Sequence, residues 1–464
     1  MCIKIKQLGL DFGSSATSVV GIAEGCDRPI LFDSGDDGCF FTAIAKLISE
    51  EKYLYFRDAL RVGKDGEYDF YSAFKENIGE EKELAKRYLT EVFQRVKNTD
   101  GYDFSELERI CYGYPKYATE KRVKEYCEIM DIILLNIVEE VFGKDPNEKM
   151  VVISHGEPML ALAAYKWVKE KYSVKSAPYC KKDDVLLVLD FGGHTLDMAL
   201  AKIDDDGAIA PIKHTSHEIS LSGTGKKING LISKKAKTSD SDSGIESAKR
   251  ELFDDPTRCT EFHKLEYRPG YMISLAYDES KHDIIARLKK DDSITELNIY
   301  TGDVYSEAKE SIIRFLKDAK KLKGRINRVL FTGGTSRISY LRYTVLNSIK
   351  EQKWLSPDYN VNRVDDQSEV SLFVTASSGA RSKGDEMKPL SAETSVALGA
   401  ALAASNPSLF KSESVRIAAP AKKSGLTPLQ SRQIKLAIMK LKKIKDRDIA
   451  IREVITLLEN LPEN

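Results

Sequence analysis

Short apolar runs that end in glycine turns predict an α/β protein. Val185–Leu189 is a continuous apolar run, which is typical of a strand buried on both faces. The run ends at Asp190, and a glycine turn leads into a second apolar run, Leu196–Ile203. The same order occurs near the N-terminus, where the first run of Gln7–Ile22 ends at Asp11 before a glycine turn and a returning strand. The pattern predicts two hairpins of one kind, and therefore two similar lobes.

The residues of these two turns suit a phosphate group that is bound together with Mg²⁺. Glycines let backbone N–H groups approach an anion, hydroxyls add donors, and a carboxylate can hold the cation or its waters. A third glycine turn follows the apolar run Arg328–Phe331, and three such turns are more specific than one. We predict one shared phosphate site, lined by Asp11, Gly13, Ser14, Ser15, Asp190, Gly192, Gly193, His194 and Thr195.

Helical and strand periodicity assign most of the remaining chain. Apolar positions at helical spacing predict helices at residues 81–97, 119–142, 159–171, 226–237, 305–322 and 391–404, with further helices opening near residue 246 and ending near residue 350. Alternating or continuous apolar residues predict strands at 40–48, 53–56, 109–112, 150–154 and 260–300. The alanine-rich helix at 159–171 is either a packing helix or a support that presents Glu157 at its N-terminus.

Composition and charge narrow the classes of function. A length of 464 residues favours two or more domains, and 42% hydrophobic with 31% charged residues is ordinary for a globular protein. The formal net charge of zero gives no support for a nucleic-acid or membrane partner. The apolar runs are too short to span a bilayer, and the first strand begins too early to leave room for a signal peptide. Seven scattered cysteines without a Cys-x-x-Cys pair predict reduced thiols, a cytoplasmic location and no thiol-bound metal.

The order of these motifs resembles the nucleotide-binding domain of the DnaK-type heat-shock chaperones, which belong to the actin, sugar-kinase and heat-shock ATPase superfamily. The resemblance extends from Lys4 to about Ala404. DFGSS and DFGGHTLD, which begin at Asp11 and Asp190, resemble the two phosphate loops. TGGTSRI, which begins at Thr332, resembles the adenosine loop, and the segments EPMLALAAY and SVALGAALAA resemble the two connecting helices.

Three smaller matches favour the chaperone branch of this superfamily. Lys75 matches the lysine that these chaperones place beside the γ-phosphate. The sequence Glu246-x-x-Lys249-Arg250 matches their clamp on ribose and adenine, and Pro-x-Tyr at 115–117 matches the segment that couples ATP to the rest of the molecule. Without this context, a lone lysine is a solvated surface residue, and the three clamp residues form an ion-paired helix face.

The resemblance implies a two-lobed actin-like ATPase fold, built from duplicated ribonuclease-H-like domains, with a small C-terminal helical hairpin. The implied boundaries are lobe I at 1–189 with an insert at about 39–110, lobe II at 190–404 with an insert at about 226–302, a linker at 405–426 and the hairpin at 427–464.

The implied activity is slow hydrolysis of Mg-ATP to ADP, used as a conformational switch that controls a partner or client. Asp11 and Asp190 would hold Mg²⁺ through its waters. Lys75 would orient the attacking water, Glu157 would sense the metal and phosphates from the opposite side, and Thr195 would contact the phosphates. The adenosine would be held by Glu246, Lys249, Arg250, Gly333, Gly334, Thr335 and Arg337.

Departures from the family leave other functions open. His194 stands where these chaperones have glycine, Ser14 where they have threonine, and Gly225 where an acidic residue is expected near the ribose. We also expect no β-rich peptide-binding domain, because only sixty residues follow Ala404. One alternative is an actin-like protein that polymerises with nucleotide. Another is a small-molecule kinase, although no aspartate base over an open substrate pocket is identifiable.

The C-terminal tail differs most from the family. The sequence Thr427-Pro428-Leu429-Gln430 is a helix start, and two apolar stripes follow it, which predicts a two-helix hairpin. Between Arg432 and Arg447 there are seven Lys/Arg residues against one acidic residue. The hairpin is either a lid on the ATPase lobes or an output module whose basic face meets an unidentified protein partner, with nucleic acid as the less supported ligand.

Deleting residues 424–464 should separate these two roles. If the hairpin is a lid, the deletion should lower the melting temperature and expose apolar surface, because two short helices cannot bury enough surface alone. If it is an output module, stability and ATP hydrolysis should persist while partner pull-down is lost. Thermal melts, dye binding and pull-down check the prediction, and a stable variant that keeps every partner would contradict both roles.

Overall fold

The computed structural model describes residues 2–23, 28–32, 39–62, 67–72, 74–75, 77–115, 120–145, 150–172, 180–193, 195–212, 224–239, 242–254, 261–265, 267–278, 280–281, 283–363, 371–375, 387–391 and 394–411. Its helices are α1 Phe56–Val62, α2 Lys82–Lys97, α3 Glu120–Glu140, α4 Glu157–Tyr172, α5 Thr224–Ala236, α6 Ser243–Asp254, α7 Gly302–Asp318, α8 Ser339–Glu351 and α9 Ser395–Ser405. The predicted C-terminal hairpin lies outside the described residues.

The strands confirm the mixed α/β prediction. They are β1 Ile3–Phe12, β2 Ala16–Ala23, β3 Ile30–Phe32, β4 Phe40–Phe41, β5 Ala43–Leu47, β6 Tyr53–Tyr55, β7 Tyr68–Ser72, β8 Tyr102–Asp103, β9 Arg109–Tyr114, β10 Val151–Gly156, β11 Val185–Phe191, β12 Leu196–Ile203, β13 Ile209–Pro211, β14 His263–Lys264, β15 Tyr271–Asp278, β16 Asp283–Lys290, β17 Ser293–Ile299, β18 Ile326–Thr332, β19 Leu355–Arg363, β20 Ser371–Thr375 and β21 Met387–Pro389.

The first predicted hairpin lies at the centre of the larger sheet. β1 and β2 pair antiparallel, with Asp11 opposite Ser18. The main path of this sheet runs β10-β9-β1-β2-β3-β20-β21. β1, β9 and β10 are parallel, so their C-terminal ends share one edge of the sheet. This edge therefore carries Asp11 and, directly after β10, Glu157 at the start of α4.

The second predicted hairpin lies at the centre of a five-stranded sheet, in the order β13-β12-β11-β18-β19. β11 and β12 pair antiparallel, with Asp190 opposite Asp197. β18 pairs parallel with β11, so Thr332 lies beside Asp190 and the third glycine turn starts at the same edge. The apolar runs are buried on both faces because every residue of β11 is covered.

Two smaller sheets supply further residues near that edge. β5 is the central strand of a three-stranded antiparallel sheet with β6 and β7, and Lys75 follows β7. β14 to β17 form a four-stranded antiparallel sheet on which α6 packs. The alternating residues at 260–300 thus form strands, as the sequence indicates.

The two alanine-rich helices lie between the two large sheets. α4 and α9 belong to a core that also contains Val20 of the larger sheet and Val188 of the five-stranded sheet. Their backbones approach directly, because a Cβ on Gly399 would overlap the carbonyl of Leu160. A Cβ on Gly9 of β1 would likewise overlap the α9 backbone. Glycine is required at these positions by the close approach of neighbouring backbones.

The chain after α9 packs on the core before it leaves the described region. Phe410 is buried and forms an isolated backbone β-bridge with Ile209 of β13. Its ring packs against the His155 ring, with ring centroids 4.3 Å apart. Burial lowers the pKa of His155 to about 4, so this ring is neutral at pH 7. Lys411 pairs with Asp204 after β12. Residues 405–411, the start of the predicted linker, therefore contact the core.

Several predicted boundaries differ from the structure. The predicted strand at 53–56 ends at Tyr55, because Phe56 takes a left-handed φ of 56° and begins α1. α7 ends at Asp318, and residues 320–322 form a short 3-10 turn instead of continuing the helix. The helix predicted from residue 391 begins at Ser395, because Ser391 and Thr394 bond each other instead. The Thr394 N–H donates to the Ser391 hydroxyl, and the Thr394 hydroxyl donates to the Ser391 carbonyl.

Gly399→Ala tests the close packing of α9 on α4. The added methyl group meets backbone atoms that cannot move independently, so the free energy of unfolding should fall by about 1–3 kcal/mol or more. Gly230→Ala in α5 is the matched control, since its added Cβ meets no atom within 4 Å. That change should raise the free energy of unfolding by about 0.5–1 kcal/mol. Urea denaturation measures both, and equal effects would contradict the packing.

Candidate nucleotide site

The first glycine turn joins β1 to β2 and faces an open cleft. Phe12 pairs with Thr17, so the chain turns tightly through Gly13, Ser14, Ser15 and Ala16, the last of which begins β2. A Cβ on Gly13 would overlap the carbonyl of Ala16, which explains the glycine. All four loop residues line the cleft. The loop therefore presents backbone and hydroxyl groups to a ligand in that space.

The second glycine turn faces the first across the cleft. Gly192 N–H donates to the Thr195 carbonyl at 2.9 Å and closes the turn between β11 and β12. A Cβ on Gly193 would lie 2.8 Å from the Ser15 hydroxyl, so the two turns come close together. Gly192, Gly193 and Thr195 line the cleft, while His194 lies outside the described residues. The two hairpins therefore form opposite walls of one site.

The third glycine turn completes this end of the cleft. Gly333 has a φ of 79°, and a Cβ there would overlap Asp190 and the Phe191 carbonyl. Residues 334–337 form a 3-10 turn, and the Thr335 hydroxyl donates to the Gly192 carbonyl at 3.3 Å. The second and third turns are thus held against each other.

A buried ion pair lies in the cleft, close to its acidic residues. Lys75 Nζ is 2.6 Å from Glu157 Oε1, and both side chains are less than one-tenth exposed. The structure thus places the two in direct contact rather than on opposite sides of the site. Asp190 and Asp197 are also buried. Glu157 and Asp190 interact electrostatically with Asp11, Asp197 and Lys75, so four acidic side chains lie near this lysine.

Burial and mutual repulsion raise the pKa values of two of these carboxyl groups. For Glu157, burial is the largest cause, Asp197 and Asp11 act in the same direction, and Lys75 opposes them, giving a pKa of about 7. For Asp190, burial and then Glu157, Asp197 and Asp11 hold the pKa well above its usual range. Negative charge is therefore costly here unless a cation compensates it.

The far side of the cleft carries the predicted adenosine clamp. Lys249 Nζ is 2.6 Å from Glu246 Oε2, and Asn229 Nδ2 donates to the same oxygen at 3.0 Å. Lys249 is only 4% exposed, so this pair is not a solvated helix-surface ion pair. Arg250 lies in α6, but its side chain is outside the described part of the chain. Gly225, at the start of α5, lies against Gly193 and Thr335, which leaves no room for an acidic side chain.

The cleft brings the predicted residues together. The empty space in and around it, including open solvent at its mouth, is about 930 Å³. The residues that line it are Asp11, Gly13, Ser14, Ser15, Ala16, Lys75, Glu157, Asp190, Gly192, Gly193, Thr195, Glu246, Lys249, Gly333, Gly334, Thr335, Arg337 and Val396. The predictions for His194, Arg250 and Tyr117 concern side chains that the structure does not describe.

Two residues of this region were missed from the sequence. Asp197 is an acidic residue within the apolar strand β12. Because side chains alternate along a strand, Asp197 lies on the same face of the hairpin as Thr195. That polar residue in an apolar strand is a usable signal. Asn229, which supports Glu246, has no comparable signal because it lies on an ordinary lysine-rich helix.

The donor set fits a cation that is bound through water. Oxygen ligands suit Mg²⁺, and the surplus of carboxylates fits a divalent cation that accompanies a polyphosphate. Among the described residues, no three Asp, Glu, His or Cys side chains lie close enough to hold a metal ion directly. Asp11 and Asp190, the two residues predicted to hold the ion, both line the cleft.

Comparisons with known proteins identify the fold. No protein-family model matches the chain. The chain is similar to the chaperone protein DnaK of Nitrosopumilus maritimus (strain SCM1), with 21% identity over 375 residues, 75% of this chain and 53% of that protein. It thus spans about half the length of the curated relative it matches. The crystal structure of MreB5 of Spiroplasma citri bound to ADP is similar with a TM-score of 0.50 and 13% identity, covering 87% of this chain and 97% of MreB5.

The chain has the fold of the actin and heat-shock ATPase superfamily. The predicted two-lobed, actin-like architecture is confirmed, and so is the resemblance to DnaK that the sequence motifs carry. The likeness to both DnaK and MreB5 leaves the branch within this fold open. No helix in the described ranges is long and apolar enough to cross a membrane.

The raised pKa of Glu157 predicts a pH-dependent stability in the absence of nucleotide and Mg²⁺. With a pKa of about 7 in the folded state and about 4.3 in the unfolded state, the folded protein binds more protons between these values. The stabilisation is present below the unfolded pKa and is lost as pH rises through about 7. Relative to Glu157→Gln, the wild type should lose about 2–3 kcal/mol between pH 5 and 8.

Urea denaturation of both proteins across this pH range measures the difference. Comparing wild type with the variant cancels the opposite effect of His155, whose lowered pKa removes stability as pH falls from about 6.5 towards 4. A difference that stays constant with pH would contradict the raised pKa.

Proposed function

We propose that this protein binds Mg-ATP in the cleft and hydrolyses it slowly to ADP, as a conformational switch for a protein partner. The observation that carries the proposal is the meeting of two glycine turns, Gly13–Ser15 and Gly192–Thr195, beside a buried Lys75–Glu157 pair. Backbone amides, hydroxyls and one lysine converge there on the open cleft. The similarity to DnaK supports the same activity.

The carboxylates of the cleft determine which state of the ligand can bind. Asp11 and Asp190 would hold Mg²⁺ through its waters, and the ion would neutralise charge on the phosphates. Without a cation, a triphosphate at this end of the cleft would face Asp11, Glu157 and Asp190, and the repulsion would oppose binding. We therefore expect the nucleotide to bind as its magnesium complex.

Lys75 is the residue proposed to act on the γ-phosphate. Its ammonium group would orient the attacking water and stabilise negative charge that develops on the transferred phosphoryl group. Glu157, the first residue of α4, forms an ion pair with Lys75. Gly113 lies next to Glu157 and leaves space for its side chain. Glu157 is therefore the residue through which the phosphates could affect α4.

The adenosine would lie on the side formed by α6 and the third turn. Glu246, buried Lys249, Thr335 and Arg337 line this side, with Gly333 and Gly334 in the turn. The Lys249–Glu246 pair and the hydrogen bond from Asn229 fix the Glu246 carboxylate. A carboxylate that is already fixed can accept a hydrogen bond from a ribose hydroxyl without a further loss of side-chain entropy.

Switching would follow from the position of α4 and α9 between the two sheets. The ligand contacts both sheets at the cleft, so exchange of ATP for ADP changes how strongly the two walls are held together. The partner would bind a surface that differs between the two states. We propose a cytoplasmic location, and the C-terminal tail as the site of the partner.

Nucleotide-dependent filament formation is the alternative that the same fold leaves open. The fold likeness to MreB5 fits this alternative as well as it fits a chaperone-like switch. Light scattering with ATP, ADP and no nucleotide separates the two. A non-polymerising switch gives no increase in scattering, whereas ATP-dependent growth would replace the proposal by the filament function.

Lys75→Ala should keep ATP affinity within a few-fold and slow single-turnover hydrolysis about a hundredfold, equivalent to about 2.7 kcal/mol of transition-state stabilisation. Lys169→Ala is the control, since Lys169 is a buried lysine of α4 that lies over the Tyr165 ring, away from the turns. The control should hydrolyse ATP at the wild-type rate. Hydrolysis by Lys75→Ala within a few-fold of wild type would remove the assigned role.

A further inference from the structure

Thr42 lies directly behind the first glycine turn. It is 2% exposed and joins β4, which pairs with β2, to β5 of the small three-stranded sheet. Its backbone N–H donates to the Ser15 carbonyl at 3.0 Å. Its hydroxyl donates to the Gly13 carbonyl at 2.7 Å. One buried residue thus binds two carbonyls of the turn.

A network of buried hydroxyls fixes the direction of the Thr42 hydrogen bond. Thr17 Oγ1 lies 3.2 Å from Thr42 Oγ1, and both residues are buried. A hydroxyl has one proton, and that of Thr42 is donated to Gly13, so Thr17 is the donor in this pair. Tyr88, fully buried below them, donates its hydroxyl to the Phe40 carbonyl at 3.1 Å. The Thr42 hydroxyl is therefore held in one rotamer.

The two bonds from Thr42 set the orientation of two peptide planes. In a trans peptide the carbonyl and the following N–H point in opposite directions. Because Thr42 holds the carbonyls of Gly13 and Ser15, the N–H groups of Ser14 and Ala16 point away from Thr42. Ser14 and Ala16 line the cleft, whereas Thr42 lies behind them. The two Thr42 bonds thus direct these amide groups away from Thr42, towards the side of the turn that lines the cleft.

We propose that Thr42 is the positioning residue of the first phosphate turn: it holds the Ser14 and Ala16 amides in the orientation that binds nucleotide phosphates. This inference rests on the proposed function and extends it to a residue outside the cleft. Amides that are already oriented bind an anion without the cost of ordering the loop. Loss of the Thr42 hydroxyl should therefore weaken phosphate binding and leave adenosine binding unchanged.

Thr42→Val removes the hydroxyl and keeps the backbone N–H and the shape, while Thr42→Ser keeps the donor. Ser311→Ala is a control for general loss of a buried hydroxyl, since Ser311 is buried in α7 and its Oγ donates to the Glu307 carbonyl. Calorimetry with ADP and with adenosine, both with Mg²⁺, measures the phosphate-dependent part of binding. Amide hydrogen exchange of residues 12–18 without nucleotide measures the order of the turn.

Thr42→Val should bind ADP about tenfold more weakly than wild type, keep adenosine affinity within twofold and exchange faster at residues 12–18. Thr42→Ser should restore both readouts, and Ser311→Ala should change neither. If Thr42→Val does not fold, Thr17→Val is the substitute, because it removes only the hydroxyl that donates to Thr42. Its affinity for ADP should fall less, by about threefold.

A Thr42→Val protein with wild-type ADP affinity and wild-type exchange would overturn the proposal. A loss of melting temperature alone, like that of a structural hydroxyl, would overturn it as well. If wild type binds neither ADP nor ATP, the proposed function fails instead. The exchange measurement then still decides whether Thr42 holds the turn, because it requires no nucleotide.

Discussion

Carboxylates that converge on one cleft repel each other, and the rest of this structure depends on how that repulsion is balanced. Glu157, Asp190 and Asp197 are buried, and the pKa values of Glu157 and Asp190 are raised. Lys75 is in direct contact with Glu157 and offsets one charge. A magnesium–phosphate complex would relieve the remaining repulsion, because its cation would offset negative charge on Asp11, Asp190 and the phosphates. Under the proposed function, the same unfavourable electrostatics would favour a ligand that brings its own cation.

Rigid packing behind the cleft allows such a site to persist. α4 begins at Glu157 and packs on α9 through Gly399, while Gly9 of β1 lets α9 approach the larger sheet. The walls of the cleft are therefore fixed to helices that contact both sheets. Thr42 adds a second support, from the small sheet to the first turn. Backbone contacts of this kind have few alternative arrangements, so ligand contacts at the cleft can bias the relation of the two sheets.

The periodicity of the chain was sufficient to predict the two hairpins, because buried strands and glycine turns have strong local signals. Contacts between distant segments had no such signal. Lys75 and Glu157 are 82 residues apart, and their contact depends on how the small sheet folds back. Asp197 could have been found from its place in an apolar strand, whereas Thr42 and Asn229 act through hydrogen bonds that no spacing indicates. The start of α9 differed by a few residues, because Thr394 bonds back to Ser391 and periodicity does not reveal such local hydrogen bonds.

The most direct test of the account is a calorimetric titration of the full-length chain with ADP, in Mg²⁺ and again in a metal chelator. The account predicts one nucleotide per chain, with affinity that falls at least tenfold when Mg²⁺ is removed, because the carboxylates of the cleft then face the phosphates without a cation. Absence of binding in both conditions, or equal affinity with and without Mg²⁺, would contradict the assignment of this cleft as a magnesium–nucleotide site.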